Sequence, residues 1–177
     1  RMKVAIVNRC RHICTSLKII LSRTKGVKVS TYTSSTEFLT SLVKQIPDVC
    51  VMDIAIEDID GYDLIKILKK RYPSLRILVI SQYRHSFAVN WMVKHGAKGF
   101  ISINSDDDQI RNAMRDVSYG YHYSELATAE LFDDVETGKV KVVKIEGRQK
   151  ETLKHLCMGR TILEITKRMN LSRYTIT

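Results

Sequence analysis

Residues 47–81 read PDVCVMDIAIEDIDGYDLIKILKKRYPSLRILVIS. The segment opens on a short apolar run, VCVM at 49–52, of the kind that suits a strand buried on both faces. It then meets a lone carboxylate at Asp53 and passes four more acids, Glu57, Asp58, Asp60 and Asp63. Leu64, Ile65 and Leu68 follow at helical spacing within 61–72, and a second buried run, RILVI, occupies 76–80. Strand, amphipathic helix and strand in that order form the repeating unit of a parallel sheet, because parallel neighbours need a long crossover.

The same unit recurs on both sides. KVAIV (3–7), VKVSTY (27–32) and GFISI (99–103) read as further strands. Helical spacing recurs in 12–23, through Ile13, Leu17, Ile20 and Leu21, and in 35–45, through Phe38, Leu39, Leu42 and Val43; helices also fit 84–95 and 106–119. Five strands alternating with five helices predict an open parallel α/β sheet with right-handed crossovers and a ligand crevice at the carboxyl ends of the strands. Val7, Met52 and Ile80 end strands, so Asn8, Arg9, Asp53 and Ser81 are expected to share that crevice.

Composition limits the class. The chain has 177 residues, 44% hydrophobic and 27% charged, which suits one ordinary domain plus a smaller one and excludes a disordered chain. No apolar run reaches the length of a bilayer span, and RMKVAIV reads as a first strand with no secretory leader, so a cytoplasmic protein with no membrane partner is expected. Cys10, Cys14, Cys50 and Cys157 form no C-x-x-C pair and read as reduced thiols. Lys and Arg outnumber Asp and Glu by 19 to 11 in residues 1–120 and by 7 to 3 in 145–177, a balance that favours a polyanionic partner.

The 47–81 stretch resembles the middle of a bacterial response-regulator receiver domain, and the resemblance extends over residues 2–119. It implies a flavodoxin-like (βα)5 fold in which Asp53 holds the phosphoacceptor position. Ser81 and Phe100, the latter in GAKGFISI, hold its two switch positions. The family binds Mg²⁺ through an acid pair after the first strand, and those positions are Asn8 and Arg9 here. Its conserved Lys corresponds to Ile103, and Glu57 replaces a usual Pro. Phosphoryl transfer depends on such cations to neutralise developing charge, so Mg²⁺ is not expected as a cofactor and Asp53 reads as the relic of an acceptor. Asp53 is expected to pair instead with the Arg9 guanidinium, and Glu57, Asp58, Asp60 and Asp63 to form a solvated loop and helix start where negative charge meets the positive end of the helix dipole. The alternative is a working phospho-receiver, the substrate of a histidine kinase, with Glu57 and Asn8 supplying the metal site.

Residues 120–144 read as a linker with one helix near 125–134, and Tyr119, Tyr121 and Tyr123 as linker packing or stacking groups. In 145–177, Leu153, Leu156 and Cys157 make one apolar face, Gly159 a break, and Ile162, Ile165 and Met169 a second face, before NLS forms a turn capped by Ser172. This is a candidate helix-turn-helix. It resembles the LuxR/NarL-type DNA-binding domain at Arg148, Glu151, Leu153, Gly159, Glu164, Ile165, Leu171, Ser172 and Thr175. The resemblance implies a recognition helix that continues past Thr177, base or phosphate contacts from Arg173, Tyr174 and Thr175, and phosphate contacts from Thr161, Lys167 and Arg168. Together the two resemblances imply a non-enzymatic transcription regulator that binds DNA as a homodimer or as a heterodimer with another regulator. A protein-interaction subunit that binds no DNA itself is a further alternative.

Overall fold

The computed structural model describes residues 1–82, 86–124 and 147–171. Six strands form one sheet: β1 (Met2–Val7), β2 (Val27–Tyr32), β3 (Val49–Met52), β4 (Arg76–Ser81), β5 (Gly99–Ser102) and β6 (Tyr123–Ser124). Their order is β2-β1-β3-β4-β5-β6 and every neighbouring pair is parallel. Helices α1 (Arg11–Ser22), α2 (Ser35–Leu42), α3 (Gly61–Arg71), α4 (Ser86–Lys94) and α5 (Asp107–Ser118) connect the strands. Two more, α6 (Gly147–Cys157) and α7 (Ile162–Met169), follow.

Alternation along the strands divides the apolar residues between two layers. Ala5, Val7, Cys50, Met52, Ile77, Val79 and Phe100 face one core, under α2, α3 and α4. Val4, Ile6, Val49, Val51, Leu78, Ile80 and Ile101 face the other, under α1 and α5. The chain leaves β1 for β2 on one side and returns to β3 on the other, so crossovers diverge at β1 and β3 and open a crevice at their carboxyl ends.

Two features depart from the sequence reading. The first is β6, which extends the sheet past residue 119. Gly120 adopts φ 88°, a left-handed conformation that favours glycine, and Tyr121 N–H bonds to Asp116 O at 3.0 Å, so the chain turns back as α5 ends. Tyr123 N–H then donates to Lys98 O at 2.9 Å. Gly99 admits the approach, since a Cβ there would meet Tyr123 O at 3.1 Å and the Leu78 and Val117 side chains. Tyr123 is half-buried against the second core while Tyr119 and Tyr121 are exposed. The expected helix near 125–134 lies outside the described residues.

The second feature is the burial of the C-terminal unit. Cys157 and Met158 join the first core beside α3 and α4, but Leu156 is 42% exposed while Lys154 is only 2% exposed. Lys154 Nζ lies 3.6 Å from both Asp60 and Asp63, 3.2 Å from Glu151, and 5.6 Å from the Tyr62 ring centre. Burial works against the ammonium, but Asp60, Asp63 and Glu151 outweigh it and hold its pKa above the ordinary lysine value. On α7, Ile165 is buried while Ile162 and Leu163 stay exposed.

Candidate functional site

The residues that follow β1 and β3 meet Ser81, the last residue of β4, as expected. Asn8, Arg9, Cys10, Asp53, Ser81 and Ile103 help line a crevice of about 150 Å³. Asn8 is buried, with its backbone N–H on Tyr32 O at 3.1 Å, and Asp53 N–H donates to Val7 O at 3.0 Å, so both lie at strand ends held by the sheet.

The Asn8 amide has one possible orientation. Cys10 N–H donates to Asn8 Oδ1 at 2.8 Å, and a backbone N–H needs an oxygen there, so the amide nitrogen points the other way. It donates to Asp53 Oδ2 at 3.2 Å. Asp53 Oδ1 accepts from Ile54 N–H at 2.7 Å, and the carboxylate also accepts from Ala55 N–H and from the Ser81 hydroxyl. Burial raises the Asp53 pKa above the ordinary aspartate value against these bonds and the more distant charge of Arg9.

Arg9 does not bond Asp53. Its guanidinium reaches Glu57 Oε1 at 3.3 Å at the exposed rim, with the two side chains 52% and 70% exposed, so the expected Arg9–Asp53 pair is replaced by an Asn8–Asp53 hydrogen bond and a surface Arg9–Glu57 pair. A guanidinium keeps the greater hydration where Glu57 offers it a partner in water. Ile103 is half-buried against the second core, its N–H on Ser81 O at 3.1 Å, and gives the crevice an apolar wall at the position where the resembling family places an ammonium. Phe100 is fully buried in the first core.

Glu57 is solvated and Asp60 and Asp63 stand at the start of α3 as expected, but Asp58 and Asp60 also hold backbone N–H groups. Asp58 accepts from Ser35 N–H at 3.0 Å and Thr36 N–H at 2.7 Å at the start of α2; burial, the largest single influence, pushes its pKa up, but the hydrogen bonds together outweigh it and bring it to about 2. Asp60 caps α3 by accepting from Asp63 N–H at 3.0 Å, and both acids face Lys154. The signal for this was available in part: Asp60 stands directly before the apolar-periodic helix, the ordinary place of a cap. Nothing local in the sequence pointed to Lys154. Among the described residues no group of three or more His, Cys, Asp or Glu side chains is placed to hold a metal ion.

In the C-terminal unit Thr161 caps α7: its hydroxyl donates to Glu164 Oε2 at 2.9 Å and accepts from Glu164 N–H at 3.3 Å. Lys167 and Arg168 are exposed on α7, which ends at Asn170 with φ 54°. Arg173, Tyr174 and Thr175, with the Ser172 cap, lie outside the described residues.

Comparison with known proteins gives a family match and a fold match. The model of the response regulator receiver domain matches residues 4–115. Fimbriae Z protein of Salmonella typhimurium is 26% identical over 164 residues, which cover 91% of this chain and 78% of that protein. The transcriptional regulatory protein MctR of Rhizobium johnstonii is 24% identical over 178 residues, covering 99% and 82%. Among solved structures, the RcsB response regulator of Salmonella typhimurium superposes with a TM-score of 0.69 at 21% identity, over 99% of this chain and 86% of that one. An RcsB–DNA complex superposes with a TM-score of 0.70 at 20% identity, again over 99% and 86%.

Proposed function

The chain belongs to the response regulator receiver family, and from that premise we propose that it is a DNA-binding transcription regulator of LuxR/NarL type whose receiver works without Mg²⁺-dependent phosphoryl transfer. The orientation of Asn8 carries the second half of this reading. A hard divalent cation needs several oxygen ligands converging in near-octahedral array. Here the Asn8 oxygen is taken by Cys10 N–H, the amide N–H group is directed at Asp53, Arg9 brings a fixed cation to the rim, and Ile103 walls the crevice. Asp53 is satisfied by neutral donors, and among the described residues no group of three or more His, Cys, Asp or Glu side chains gathers around it to hold a metal ion. The reading assigns no catalysis to the chain and requires no histidine kinase. It takes DNA as the partner, and a second copy or another regulator as the dimer partner.

The DNA-binding half is supported by α6 and α7, separated at Gly159 (φ 71°), with Lys167 and Arg168 exposed, and by relatives named as transcription regulators. Both halves are testable together. Acetyl phosphate with Mg²⁺ should leave Asp53 unlabelled by intact-mass measurement, and binding of a duplex should weaken in Lys167→Glu/Arg168→Glu. Rapid Mg²⁺-dependent labelling that disappears in Asp53→Asn would return the receiver to the phosphorylated class.

A further inference from the structure

We infer that the DNA contact does not end at the helix-turn-helix but continues along a basic band on the receiver, from α6 across the end of α4 to the leading edge of β5 and β6. The inference rests on the DNA-binding reading and extends it to a surface that reading does not use.

The band can be followed contact by contact. Lys150 of α6 places Nζ 4.2 Å from the centre of the Trp91 ring, and the His95 ring stacks on the same indole at 4.3 Å. Lys94 lies beside His95, exposed at the end of α4. Past Gly96, where a Cβ would strike the Lys69 side chain at 2.9 Å, comes Lys98, whose Nζ is 3.0 Å from Nε2 of His122, the residue before β6. Basic groups from α6, α4 and α3 and from the residues just before β5 and β6 therefore form one row.

Ordinary structural roles account for part of it. Lys69 donates to Pro73 O and Leu75 O, Lys66 pairs with Asp63 at 2.7 Å, and Lys94 complements the carboxyl end of α4. Lys98 meets the His122 ring and Lys150 the face of Trp91, and neither partner carries a formal negative charge that would offset the ammonium. Lys98 stands just before a strand, Lys150 comes from the other unit, and among the described residues no carboxylate pairs with Lys94, Lys98 or Lys150. The row repels itself. Burial first, and then the Lys66, Lys150 and Lys94 ammonium groups, lower the His95 pKa, as burial and Lys98 lower that of Lys69. An external polyanion laid along the row relieves that repulsion.

A DNA duplex fits this description better than a lipid surface. Its charges are spaced about 1.7 Å apart along one axis, a linear match to a row, whereas membrane-surface elements add apolar side chains that insert. Among the described residues no exposed large aliphatic side chain belongs to α4 or to the β5–β6 edge, and only Leu156 of the exposed ones lies on α6. Tyr121, 68% exposed next to His122, instead offers an aromatic face of the kind that packs on nucleic acid.

The test uses the whole chain, a random-sequence duplex and fluorescence anisotropy at a series of salt concentrations, with thermal melts to verify that each variant folds. Lys94→Glu/Lys98→Glu is compared with Lys18→Glu/Lys28→Glu, an equal change of charge at exposed positions of α1 and β2. Each lost phosphate contact reduces the slope of log K against log salt by about 0.9, so the first variant should be shallower than the second by about 2. Equal slopes overturn the band and leave the helix-turn-helix reading, which Lys167→Glu/Arg168→Glu examines separately. Failure of the unaltered chain to bind any duplex overturns both. Loss of binding to phosphatidylserine vesicles with an unchanged duplex slope assigns the surface to lipid and also overturns the proposal.

Discussion

Asn8 sets the chemistry of the crevice because both ends of its amide are committed, the oxygen to Cys10 N–H and the nitrogen to Asp53. Asp53 is left as a carboxylate in a mostly desolvated place, its pKa raised above the unfolded value. The sign of the stability effect follows. A raised folded pKa means that the native state binds the proton more tightly, so Asp53 contributes stability below its unfolded pKa and loses it as pH rises through the folded one. Urea titrations should therefore show stability of the unaltered chain, relative to Asp53→Ala, falling with rising pH across and just above the carboxylate range. A difference that rises with pH would mean that Asp53 has a cationic partner in solution. Arg9 supplies a second expectation at this scale. Its pair with Glu57 sits in water, so Arg9→Ala should cost only about 0–1 kcal/mol in the same titrations, and a larger loss would restore the direct Arg9–Asp53 pair.

The element that connects the crevice to the rest of the receiver is the β3–α3 loop. Gly61 opens α3 with its N–H on Ile54 O at 2.8 Å, and a Cβ there would lie 2.7 Å from Asp53 O and from Ile54 Cα. Both obstacles are backbone, so the loop and the helix have to separate. Gly61→Ala should cost roughly 1–3 kcal/mol, as overpacking does, and should perturb the amide signals of Asp53 and Ile54 in an NMR spectrum. A neutral substitution would show that α3 slides freely over the loop. Four residues on in the chain from Ile54, Asp58 holds the start of α2, and Asp60 caps α3, so this loop ties two helices to the strand that carries Asp53.

At the scale of the whole molecule, Lys154 joins the C-terminal unit to the receiver. Lys154→Met keeps an apolar stem beside Tyr62 but leaves Asp60 facing α6 without its ammonium, while Asp63 retains Lys66 at 2.7 Å. Removing one partner of a buried pair costs several kcal/mol, and since Asp63 and Glu151 remain about half exposed, the expected loss is about 3 kcal/mol or less. Trp91 is the single tryptophan and lies on α4 beneath Lys150 of α6, so its fluorescence during urea unfolding reads the loss at this contact. Lys154→Met should shift that transition to lower urea, and Lys154→Met combined with Asp60→Asn should recover part of the shift. Additive losses would show that the two charges do not interact.

Local pattern was enough for the strand–helix alternation, because side-chain periodicity is set within a few residues of chain. It was enough also for the shared crevice of Asn8, Asp53 and Ser81, because parallel strands place their carboxyl ends together whatever the side chains are. The break at Gly159 and the two helices around it were legible for the same reason. Partner choice was not. Whether Asp53 met Asn8 or Arg9 depended on one backbone N–H, that of Cys10, orienting an amide, and on a solvated acid at Glu57 being the better partner for a guanidinium. Nothing in the chain around Lys154 marked it out, and only the packing of α6 on α3 and α4 enclosed it among carboxylates from another part of the chain. β6 was invisible for a related reason: two residues carry no period, and it forms because Gly120 turns the chain and Gly99 leaves room beside β5. Sequence determined what depends on neighbours in the chain, while the tertiary structure decided what depends on distances between segments far apart in it.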